Sequence, residues 1–112
     1  MICGIPDKVL AKWVKGKEYI KPADEGEAIA IGAGHYIATG KRATVFMSVD
    51  GFLNALCPVT SLVIPEEIKM NIVIGTGRQE PQHKVATDML KGLIKLLPYD
   101  PKRIHFKIVE KK

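Results

Sequence analysis

The run Asp24-Glu-Gly-Glu-Ala-Ile-Ala-Ile-Gly-Ala-Gly-His-Tyr-Ile-Ala-Thr-Gly40 constrains the fold of this chain more than any other segment. Asp24 is a good N-cap, and Glu27 completes a capping box with it. Gly40 stands where a glycine ends a helix. No residue from Ala28 to Ala38 is charged, so the pattern predicts a helix that is apolar on every side and therefore buried. Inside a helix Gly32 and Gly34 each cost about 1 kcal/mol relative to alanine. A buried helix accepts that cost where a neighbour must approach its backbone closely. Glu25 is left over: it neither caps nor completes the box, and it stands where the helix goes under cover.

A chain of 112 residues is expected to form one domain, 1–112, near the lower size limit for a doubly wound sheet. Its hydrophobic fraction of 46% and mean hydropathy of +0.05 are those of a folded protein. No apolar run has the length of a membrane span and no leader pattern opens the chain, so a cytoplasmic protein without a membrane partner is expected. The net charge of +5 raises the question of nucleic acid, but aromatics are only 6% and scattered. With no basic helix and no stacking platform, a solvated lysine surface is expected and no nucleic-acid partner. Cys3 and Cys57 lack C-x-x-C spacing and read as reduced, buried or half-buried thiols. His35, His83 and His105 are far apart and no metal motif is present, so no metal ligands are assigned.

Along the chain, Met1–Pro6 reads as a short strand entering a turn, and Asp7–Val14 as a helix capped by Asp7 and ended by Gly16. Glu18–Ile20 is a minimal strand. Ala43–Val49 is a buried strand, Asp50-Gly51 a turn, and Phe52–Val63 a helical segment despite Pro58. Asn71–Ile74, beginning near Ile68, is a second buried strand that runs into the glycine-rich loop Gly75–Pro81. His83–Leu97 is an amphipathic helix, and Ile104–Val109 alternates as a last strand. This alternation predicts an α/β fold, a mainly parallel sheet flanked by helices. Sites in such sheets lie beyond the carboxyl ends of the strands, here in the loops Pro22–Glu25, Ser48–Asn54 and Gly75–His83.

Each candidate residue has a plain alternative. Glu25 can be an acid that complements the helix dipole, and spacing alone favours this. It can also be a carboxyl group held by Ala28, Ile29 and Gly32 in apolar surroundings, which would raise its pKa and let it exchange a proton with a bound group. Ser48–Asn54 can present backbone N–H groups to a ligand or be an ordinary turn. Gly75-Thr-Gly-Arg78 lacks the residues of a phosphate loop or a dinucleotide fingerprint. His83 can be a general acid or base, or a solvated helix residue.

The segment Glu25-Gly-Glu-Ala-Ile-Ala-Ile-Gly-Ala-Gly-His-Tyr-Ile-Ala-Thr-Gly-Lys41 resembles the helix signature of the pyrimidine-binding (PYR) domain of thiamine-diphosphate enzymes. The similarity is to the phosphonopyruvate and sulfopyruvate decarboxylase group. Gly4-Ile-Pro, Gly51-Phe-Leu-Asn-Ala-Leu-Cys-Pro-Val-Thr-Ser-Leu62 and Glu80-Pro-Gln-His83 match in the same order, so the resemblance runs from Gly4 to about Leu97. It implies a shortened PYR-type domain without the leading helix and most of the first strand. It also implies a catalytic role for Glu25, whose carboxyl would hydrogen-bond N1′ of the cofactor's aminopyrimidine and promote loss of the thiazolium C2 proton. Gly51 and Asn54 would line the cofactor, and His83 would relay protons at a 2-oxo-acid substrate. Leu53 departs from the pattern, which has a second glycine there, and the loop before Glu80 looks trimmed. The Gly-Asp-Gly…Asn-Asn motif for diphosphate and Mg²⁺ is absent, so the resemblance implies a β-type partner subunit that carries both, in a self-associating α-type subunit. The carboxy-lyase activity would belong only to that assembly. The alternative expectation is a shortened, non-catalytic relative with a structural, regulatory or self-association role.

Overall fold

The computed structural model describes residues 1–111. Four strands, β1 (Ile2–Gly4), β2 (Ala43–Ser48), β3 (Met70–Thr76) and β4 (Ile104–Glu110), form one sheet in the order β1-β2-β3-β4. Every pairing is parallel, with Val45 opposite Ile72 and Ile72 opposite Phe106. The α/β fold with a parallel sheet and flanking helices is therefore as expected. Glu18–Ile20 contributes only one bridge, Ile20 to Cys3, along the outer edge of β1.

Parallel strands need crossovers, and these carry α1 (Ala11–Val14), α2 (Glu25–Thr39), α3 (Val49–Asn54), α4 (Leu56–Pro58) and α5 (Pro81–Leu96). The alternation of β2 sends Val45 and Met47 into the main core, beneath Ala28, Ile29, Phe52, Ala86 and Leu90. Phe46 points the other way, into a smaller core with Leu10, Val14 and Val73. Trp13 and Tyr19 close over the Phe46 ring at centroid distances of 5.5 and 5.2 Å. The helices thus crowd one face, and the second is only partly covered. Because the strand order follows the chain order, the sheet never reverses its direction of winding, and it has no switch-point crevice of its own.

Three expected elements differ. The Asp50-Gly51 turn is instead the first turn of α3, because Ser48 adopts an extended conformation and its Oγ accepts the Gly51 N–H at 3.1 Å, as an N-cap does. The helix expected over Phe52–Val63 breaks after Asn54. Pro58 lacks an N–H and crowds the carbonyl four residues before it, which is that of Asn54. The chain resumes in α4 and a π-turn, Val59–Val63. The expected Asp7–Val14 helix is likewise shorter, although Asp7 Oδ1 still caps the leading turn through Leu10 N at 2.8 Å.

The helix α2 needs a larger correction. Asp24 Oδ1 accepts Glu27 N at 2.8 Å as expected, while Glu27 Oε1 reaches one residue past the N-cap and accepts Ala23 N at 3.0 Å. Gly40 closes the helix at φ 71°. Gly32 does let the sheet approach, since a Cβ there would lie 2.7 Å from Val45 Cγ2 and 2.9 Å from Met70 Cε. The helix is not buried all round, however. Ala30, Gly34, Ile37 and Ala38 are exposed, and among the described residues nothing beyond the adjoining helix backbone lies within 4 Å of where a Gly34 Cβ would stand. The sheet covers one side of this uniformly apolar helix and leaves an apolar side in solvent.

The amino end of the sheet is tied by Arg42, whose guanidinium donates to the carbonyls of Met70, Lys102 and Arg103. Cys3 is buried, and its burial, with Glu27 nearby, pushes the thiol up from its ordinary value. Cys57 is free and exposed, not buried or half-buried.

Candidate functional site at the carboxyl ends of the strands

Three helix N-termini, those of α2, α3 and α5, follow the carboxyl ends of β1, β2 and β3. Capping decides which acids are free there. Asp24 is occupied with the Glu27 backbone and Glu27 with the Ala23 backbone, whereas Glu25 makes no hydrogen bond among the described residues. Its half-buried side chain leans across onto α3. A Cβ added at Gly51 would lie 2.5 Å from Glu25 Cγ, 2.7 Å from Oε1 and 2.8 Å from Cδ. Gly51 has no left-handed φ, so close approach, not backbone conformation, is what requires glycine. The glutamate rests on bare backbone with Ala28 and Ile29, both fully buried, beneath it on α2.

Asp50, beside Gly51, reaches α5 on its other side. Its Oδ2 lies 2.6 Å from His83 Nδ1, with side-chain exposures of 38% and 21%. His83 lies in the first turn of α5, behind Pro81, which suits that turn because its missing N–H would have had no helical partner. A carboxylate only accepts, so the pairing assigns the Nδ1 proton to His83 and leaves Nε2 outside the pair. This orients the ring and lets Nε2 take up and release a proton. Glu25, Gly51, Asp50 and His83 are thus linked in one line across three helix starts. Asn54 is not part of it: it is exposed at the last residue of α3. Asp50 is the member that the sequence did not reveal, because its partner is 33 residues away and an Asp-Gly pair signals a turn.

The loop after β3 does not form a phosphate cradle. Gly75 belongs to β3, where Leu10 packs against its backbone, and Gly77 turns the chain at φ 98°. Arg78 Nη2 is turned onto Glu80 Oε1 at 3.1 Å. The Glu80 backbone N–H, this guanidinium and Lys111 hold its carboxyl at about 2, down from an ordinary 4.5. A carboxylate lowered in the folded state stabilises the fold fully above its ordinary value, and that contribution is lost as the pH falls toward 2. An NMR titration of the Glu80 carboxyl carbon should therefore give a midpoint near 2. Arg78→Gln should move the midpoint upward, toward the usual glutamate range.

Among the described residues no three His, Cys, Asp or Glu side chains converge as a metal site, and no helix is long and apolar enough to cross a membrane. In comparisons with known proteins, the chain matches no family model and no curated protein.

Proposed function

We propose that this chain is the aminopyrimidine-binding subunit of a cytoplasmic thiamine-diphosphate-dependent 2-oxo-acid decarboxylase of the sulfopyruvate or phosphonopyruvate type. The observation that carries the proposal is the Glu25 carboxyl, unused in capping and laid against the bare backbone of Gly51, with the Asp50–His83 pair alongside. The Glu25 carboxyl suits a ring nitrogen of an aminopyrimidine, and Gly51 leaves the space that this side chain itself occupies. Thiamine diphosphate, when bound, supplies a nucleophilic carbon and the electron sink that decarboxylation requires.

The chain's own residues have separate tasks. Glu25 holds and exchanges a proton at the ring nitrogen. Gly51 permits the approach that places the carboxyl. The substrate carbon that loses CO₂ must gain one proton, and His83, fixed by Asp50, delivers it from Nε2. Diphosphate and Mg²⁺ are assigned to a partner subunit. Two features support a site completed by another chain. The sheet has no switch-point crevice, and α2 leaves Ala30, Gly34 and Ile37 exposed on the helix that carries Glu25.

The test is decarboxylation of sulfopyruvate and phosphonopyruvate by this chain mixed with a subunit bearing the Gly-Asp-Gly…Asn-Asn motif, with thiamine diphosphate and Mg²⁺. CO₂ release that requires both chains is the expected result. Absence of turnover and of cofactor binding would overturn the assignment and leave only the fold.

A further inference from the structure

The shoulder of α5 carries a stripe that nothing among the described residues covers. Val85, Met89 and Leu96 are 72%, 45% and 81% exposed. Gly92, between them, is exposed and has open space where a side chain would stand. The four are spaced by four, three and four residues, which places them in line along one side of a helix. The core side of α5 is a different one, carried by Ala86 and Leu90.

The stripe complements itself when two copies run antiparallel. Met89 of one copy then faces Gly92 of the other, so a long side chain enters the space that glycine leaves. Val85 faces Leu96. In this register Asp88, which flanks the stripe, comes beside Lys95 of the second copy, and the two-fold axis makes that pair twice. Asp88 is 60% exposed and holds Lys84 of its own chain at 2.8 Å, so its carboxylate lies on the surface within reach of a second cation. A parallel pairing has none of these matches: it would set Gly92 against Gly92 and bring Asp88 beside Leu93.

We propose that two copies of this chain associate through antiparallel α5 helices, with Met89 seated over Gly92 and Asp88 paired with Lys95 across the axis. This interface uses none of Glu25, Gly51, Asp50 or His83, and it stands or falls apart from the cofactor assignment. The test is the mass of the full chain by sedimentation equilibrium over a concentration series, with Asp88→Lys, Lys95→Asp and the double reversal. The wild type is expected at twice the 12.3 kDa chain mass. Each single reversal turns two attractive pairs into two repulsive ones and should weaken the dimer about tenfold or more. The double reversal should restore it, a recovery that a stripe made for a different protein would not give. Far-UV circular dichroism of all four proteins should coincide. A monomeric wild type, or a dimer indifferent to the single reversals or not recovered by the double one, overturns the proposal.

Discussion

Replacing Glu25 by glutamine should lower decarboxylation by the proposed two-subunit enzyme by roughly a hundredfold to ten-thousandfold, the span of a lost general acid–base group. Glutamine keeps the size and the hydrogen-bonding reach of the side chain but cannot exchange a proton. Folding should be nearly unaffected, because Asp24 and Glu27 perform the capping of α2 and Glu25 makes no hydrogen bond among the described residues that the substitution would break. Steady-state rates, set beside thermal unfolding of the same preparations, check both halves. An unchanged rate would remove Glu25 from the chemistry and leave it as a helix-start acid.

The second large effect concerns Gly51. Alanine there places a Cβ 2.5 Å from Glu25 Cγ and 2.8 Å from Cδ, closer than atoms can pack. Overpacking of this kind costs about 1–3 kcal/mol, and relief requires Glu25 to swing off α3. Gly51→Ala should therefore lower stability in urea titrations and also reduce activity in the complex. The same substitution made in a Glu25→Ala background should cost far less, since the atoms it would strike are gone. The coupling expected for contacting residues is about 0.5–3 kcal/mol. Equal costs in the two backgrounds would show that Gly51 is needed for a reason other than Glu25.

What the sequence made legible was what is encoded locally. Asp24, Glu27 and Gly40 each act through backbone groups within one turn, so the bounds of α2 were readable from spacing. The β-branched and aromatic runs Ala43–Val49 and Ile104–Val109 announced β2 and β4 in the same way. The errors arose where two local signals competed or where the deciding partner was distant. Asp50-Gly51 reads as a turn until Ser48 is seen to cap a helix across it. Pro58 sits in a helical pattern, and the damage it does falls on Asn54. The even apolarity of α2 cannot tell a helix buried on all sides from one whose second apolar side awaits a partner, and Gly32 and Gly34 look alike although only Gly32 touches the sheet.

The candidate site was legible as residue types but not as an arrangement. Glu25 stood out because capping left it unused, and the loop positions of Gly51 and His83 placed them at strand ends. The contacts that link them are long-range. No spacing rule indicates that Gly51 is glycine because of Glu25, or that Asp50 orients His83. Asn54, carried by resemblance alone, does not join them.

The central claim is that Glu25 exchanges a proton with the cofactor's aminopyrimidine. Its most direct measure is the rate at which the C2 proton of thiamine diphosphate exchanges with heavy water, followed by proton NMR of this chain mixed with the proposed diphosphate-binding partner and Mg²⁺. Exchange should be about a hundredfold or more faster than in free cofactor, and Glu25→Gln should abolish the acceleration while the cofactor remains bound. Exchange at the same accelerated rate with and without the Glu25 carboxyl would contradict the account.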